Sequence, residues 1–113
     1  MNKTDAQVVR DAMDLLRKYG HCKFLLYDDA SRMCLVGALN LAQGAKYGVF
    51  FSAQRPRLAS ILLQVTEEQH PDRFSGWDDY GAGYVWFNNH PDTTLEDVLS
   101  VMDKTAVLLD ETS

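Results

Sequence analysis

The sequence predicts a mainly α fold, an irregular bundle of about four helices with a buried central helix and a long aromatic-rich connection before the last one. Three observations carry this. Apolar residues recur at three- and four-residue spacing in separate stretches towards both ends of the chain. Capping signals precede two of those stretches, Thr4 with Gln7 and Thr93 with Glu96. A middle run from Cys34 to Leu41 is apolar almost all round, as a helix enclosed on most sides requires.

In chain order, Val8, Ala12, Leu15, Leu16 and Tyr19 form the buried stripe of a first helix that Gly20 ends. Its other face, Arg10, Asp11, Asp14, Arg17 and Lys18, is charged and belongs in water. His21 to Tyr27 reads as an extended or irregular connection, and Asp28 to Arg32 as a turn rich in residues that bond their own backbone. The central helix runs from Met33 to Ala42, stops at Gly44, and carries Gly37 and Ala38 where a neighbour can come close. Tyr47 to Phe51 reads as a brief extended segment. Ser52 or Arg55 then opens a third helix with Pro56 in its first turn and Leu58, Ile61, Leu62 and Val65 facing inward. Helical periodicity breaks from Asp72 to Asp92, where Gly76, Gly81 and Gly83 separate aromatic residues. Leu95, Val98, Leu99, Met102, Ala106 and Leu109 define the closing helix, with Asp92, Glu96 and Asp97 at its positive end.

A chain of 113 residues, 46% apolar and 24% charged, is expected to fold as a single globular domain, 1–113, around one core. No apolar run approaches the ~20 residues of a membrane span, and the first residues lack a signal-peptide pattern. A cytoplasmic location without membrane contact is therefore expected. Cys22 and Cys34 are too few to staple a secreted scaffold, so both are expected as thiols. The net charge of −5 is uneven: residues 1–60 carry +4 and residues 61–113 carry −9. That distribution argues against nucleic acid as a partner, because the aromatic-rich half has the wrong sign to follow phosphates. An acidic face suits a basic protein surface, although an uneven solvated surface explains the same numbers.

Candidate chemistry centres on Cys34. At the N-terminus of a helix, unpaired amides and the helix dipole favour a thiolate, and His90 with Asn88 or Asn89 downstream offers a base and an orienting amide. The competing reading is an inert core thiol beside Leu35 and Val36. His21, Cys22, Cys34, His70 and His90 have no metal-ligand spacing, so neither a metal nor any other cofactor is expected. Asp28, Asp29, Asp78 and Asp79 are paired acids that fit solvated turns better than acid–base work. Trp77, Tyr80 and Tyr84, with Asp78 and Asp79, form the candidate binding surface, because Trp and Tyr combine apolar area with a polar tip. Trp86 and Phe87 are expected to pack inward.

Gly20-His21-Cys22 after the first helix, Ser31-Arg32-Met33-Cys34-Leu35-Val36-Gly37-Ala38-Leu39, and Trp86-Phe87-Asn88-Asn89-His90-Pro91 with Thr94 run in order along most of the chain. Together they resemble a domain-of-unknown-function family of small actinobacterial and phage proteins. Here Ser31 replaces a glycine of that pattern, His21 a tryptophan and Asn89 an acid, and Phe87 intervenes after Trp86. The resemblance implies a short accessory protein that acts by binding. The leading expectation is thus a protein-interaction domain, phage-encoded and directed at a host protein. The alternatives are a small enzyme using Cys34, His90 and Asn88 or Asn89, and a homo-oligomer assembled through the aromatic patch.

Overall fold

The first helix owes its position to its ends as much as to its stripe. In the computed structural model, which describes residues 3–44, 50–74 and 83–111, α1 spans Asp5–Tyr19. The Thr4 hydroxyl accepts the Gln7 amide at 3.1 Å, and Gly20 closes the helix at φ +95°. Ala6, Val8, Val9, Ala12, Met13 and Leu16 are buried along one face, which packs against α2 (Leu35–Ala42) and α6 (Leu95–Glu111). Between these lie α3 (Phe51–Gln54), α4 (Pro56–Gln69), a 3-10 turn at Pro71–Arg73 and α5 (Gly83–Asn89). Among the described residues there is no strand; only isolated bridges pair His21 and Tyr27 with Met33. The mainly helical expectation holds, with more helices than expected.

Every residue of α2 except Leu41 is buried, as its all-round apolar sequence requires. Leu35 and Leu39 are fully enclosed, each contributing about 2 kcal/mol of burial. Asn40, the polar exception, is satisfied because its Oδ1 accepts the Phe51 amide at 2.7 Å and so ties α3 to α2. The Gly37 position admits a close neighbour, as expected, and that neighbour is loop backbone. A Cβ there would overlap the Leu26 carbonyl.

Arg55 precedes Pro56, the first residue of α4, and its guanidinium reaches Asp5 at 2.7 Å. The cap of α6 is one residue later than the sequence suggests. Thr94 Oγ1 accepts the Asp97 amide at 3.2 Å, while Asp97 Oδ2 accepts the Thr94 amide at 3.1 Å. Arg73 holds Asp97 at 2.9 Å, which favours this acid over the exposed Glu96, and Thr93 is buried instead.

Two further expectations are corrected. Phe51 starts a helix rather than ending an extended segment; residues 45–49 lie outside the described residues. The stretch from Asp72 to Asp92 is not unbroken connection, since it contains α5. Gly83, Tyr84, Phe87 and Asn88 form the buried face of α5. That spacing is helical, but it is hidden in the sequence because Val85 and Trp86, on the other side, are apolar too.

Candidate functional site

Phe87 and Tyr84 seat α5. The Phe87 ring stacks on His70 with centroids 4.8 Å apart, and Tyr84 tilts against Phe51 at 5.8 Å. This placement drives the next side chain, Asn88, into the space between the N-terminus of α2 and the loop after α1. Asn88 Oδ1 accepts the Leu35 amide at 3.0 Å and His21 Nε2–H at 2.7 Å. Because an amide oxygen only accepts, neutral His21 carries its proton on Nε2. Asn88 Nδ2 donates to Cys22 O at 3.4 Å and to Asn89 Oδ1 at 3.0 Å. Asn89 Oδ1 also accepts the Phe24 amide at 2.8 Å, and Lys23 Nζ donates to the carbonyls of His90 at 2.6 Å and Pro91 at 3.2 Å. The loop from His21 to Phe24 is thereby stitched to Asn88–Pro91, residues more than sixty positions away.

The same loop closes on itself. Met33 N–H reaches Gly20 O at 3.1 Å, Cys22 N–H reaches Met33 O at 3.0 Å, and Cys34 N–H reaches Leu26 O at 3.1 Å. Asp28 Oδ1 accepts the amides of Ala30 and Arg32, and Oδ2 accepts Arg32 Nε at 2.6 Å. Asp28 is therefore a turn former, as expected, but its carboxylate is bonded within the turn and only 12% exposed instead of solvated.

Cys34 is the N-cap of α2, and its Sγ accepts the Gly37 amide at 3.2 Å. Burial pushes its thiol above the usual range, outweighing the downward pull of the amides of Gly37, Val36 and Cys34 itself. Burial likewise raises Cys22, whose sulfur lies 3.3 and 3.4 Å from the carbonyls of Leu25 and Arg32. Both are free thiols. Among the described residues no hydrogen bond joins Cys34 to His90, Asn88 or Asn89, the residues of the alternative cysteine site. His90 Nδ1 accepts the Asp92 amide at 3.1 Å and serves the turn into α6, while Asn88 orients His21. Burial lowers the affinity of His21 for a second proton, Lys23 adds to that, and the bond to Asn88 opposes it. Among the described residues no group of three His, Cys, Asp or Glu is placed to hold a metal ion.

Over this polar hub lies an apolar face that the sequence reading did not single out. Phe24 is 78% exposed, and Leu25, Leu26, Tyr27, Phe50 and Trp86 are exposed with it. Phe24 sits at φ +69°, a left-handed conformation that a bulky side chain adopts at a cost of about 1–3 kcal/mol. Two adjoining grooves share Phe24, Val85 and Asn89. The larger, about 410 Å³, also has Trp86, His90 and Pro91 in its wall. The smaller, about 210 Å³, runs past Leu25, Leu26 and Phe50 to Cys34 and Asn88. The signal for this face was present in the sequence: Phe24-Leu25-Leu26-Tyr27 is an apolar run too short for a buried helix and without the alternation of a half-buried strand.

Of the expected binding residues, Trp77, Asp78, Asp79 and Tyr80 lie outside the described residues. Tyr84 is corrected: at 5% exposure it belongs to the core, because its place on α5 turns it towards Phe51. Trp86, expected inside, is 39% exposed, since it stands on the opposite side of α5 from Tyr84, Phe87 and Asn88.

Fold and site together define a mainly helical protein in which three separated sequence blocks converge on a buried asparagine beneath an exposed apolar face. The chain belongs to DUF6197, a family of unknown function whose sequence profile matches residues 1–108. Comparison with curated proteins and with solved structures yields no match.

Proposed function

We propose that this chain is a small protein-interaction domain, accessory or regulatory in role and cytoplasmic, that docks through the apolar face around Phe24, Leu25, Leu26, Phe50 and Trp86. The observation that carries this reading is Phe24. Its ring stands in water on a left-handed backbone whose amide donates to Asn89 Oδ1, so the fold sustains both strain and exposed apolar area at one residue. Sub-stability at one surface position is characteristic of residues that act on something else. Aromatic side chains grouped on one surface are also the usual anchors of protein contacts. The expected acidic surface, with Trp77, Asp78, Asp79 and Tyr80, precedes α5 in sequence and is proposed as a further contact. A host partner with a basic surface for a phage-borne copy remains part of the proposal, supported by the charge of −9 over residues 61–113.

The cysteine-enzyme reading is favoured by one observation, that Cys34 accepts an amide bond at a helix start and borders the smaller groove. Its burial and the engagement of His90 elsewhere weigh against it.

The test is site-specific photo-crosslinking in the producing cell. A photoreactive residue at position 24 or 86 is expected to give discrete protein adducts, and one at Ser60, exposed on α4, is not. Absence of adducts from both 24 and 86 would refute the docking role.

A further inference from the structure

We infer that the apolar face receives a second copy of this chain, the two related by a two-fold axis beside Phe24. This rests on the reading of the face as a docking surface and names its partner.

Composition is the first argument. The residues that line the two grooves, polar Asn88, Asn89 and His90 among them, include no Lys, Arg, Asp or Glu. Of the charges in the loop, Lys23 is engaged on the carbonyls of His90 and Pro91 and Arg32 on Asp28, while Asp29 is exposed in the turn beyond Tyr27. Interfaces between different proteins that meet transiently are about as apolar as the remaining surface, whereas homodimer interfaces are more apolar and poorer in charge. This face has the second composition. It is also what a chain of net charge −5 needs if it is to meet its own copy, since any charged patch would oppose itself.

Area is the second argument. With side chains of this size, the exposed fractions of Phe24, Leu25, Leu26, Phe50 and Trp86 leave roughly 500 Å² of surface per copy. A two-fold contact would then bury at most about 1,000 Å², the size that a specific interface must reach.

Shape is the third. An isologous contact must carry both a projection and its receptacle on one patch. Phe24 projects from the rim of the 410 Å³ groove that it forms with Val85, Trp86 and Pro91. A two-fold axis beside Phe24 would bring each phenyl ring to the other copy's groove. The left-handed backbone at Phe24 and the Asn89 bond to its amide fix the projection before contact, which lowers the ordering cost of association.

Sedimentation equilibrium of the whole chain from 1 to 500 μM, in low and high salt, tests this. The expected result is a monomer–dimer equilibrium that high salt leaves unchanged or strengthens. Phe24→Asp should weaken it at least tenfold with helical circular dichroism retained, and Ser60→Asp should not affect it. Trp86→Ala provides a second, milder reading should Phe24→Asp fail to fold. A wild-type chain that stays monomeric throughout, a dimer indifferent to both substitutions, or a dimer that salt dissociates would each overturn the inference. A monomeric chain that still gives adducts with another protein at position 24 overturns the second copy and leaves the docking reading standing; no adducts of any kind removes both.

Discussion

Asn88 shows what one buried side chain can organise when all its bonding capacity is used. Its oxygen serves the first turn of α2 and the His21 ring, and its nitrogen holds the loop backbone at Cys22 and the neighbouring Asn89. A buried donor left without a partner costs about 1–3 kcal/mol. Asn88→Ala strands the Leu35 amide and releases His21, so a loss of about 3 kcal/mol is expected in urea denaturation. Asn89→Ala, at a half-buried position, should cost about 1 kcal/mol by the same rule. Equal effects of the two substitutions would show that the hub is not where this account puts it. None of these pairings was legible in the sequence. His21 and Asn88 lie 67 positions apart, and which amide meets which ring is decided by how α5 seats on α4. The sequence did mark the participants, since His21, Asn88 and Asn89 all fall in the blocks that carry the family resemblance.

At the scale of elements, legibility followed amphipathicity. α1, α4 and α6 each have a charged or polar face to contrast with a buried stripe, so their spacing could be read directly. α5 has apolar residues on both sides, one set for the core and one towards the grooves, and its period was lost. Trp86 and Tyr84 exchanged their expected roles for that reason: composition shows that a segment is aromatic, and only the helix phase shows which ring faces out. The contact between α2 and the loop was half legible, as a small residue at Gly37 without its neighbour. In an exposed helix Gly→Ala gains about 1 kcal/mol. Here the new methyl would meet the Leu26 carbonyl, so Gly37→Ala is expected to destabilise the protein by about 2 kcal/mol through overpacking. Thermal unfolding of the variant checks this, and an increase in Tm would show that the loop is not seated on α2.

The whole molecule divides its apolar residues between two tasks. One continuous core, from Ala6 on α1 through Leu39 and Leu62 to Leu109 on α6, accounts for folding. A second set, displayed around Phe24 and held in place by the polar hub, adds little to that core and leaves one residue strained. Removing the Phe24 side chain should therefore not harm the fold. Glycine occupies the left-handed region without the penalty a side chain incurs, so Phe24→Gly is expected to hold stability or raise it by about 1 kcal/mol while abolishing crosslinks formed through this face. Urea denaturation of Phe24→Gly beside the wild type, at a concentration where both are monomeric, is the most direct test that the face exists for contact and not for folding. An unchanged or higher midpoint is the predicted result; a loss of the 3 kcal/mol or more that follows deletion of a core phenylalanine would contradict it.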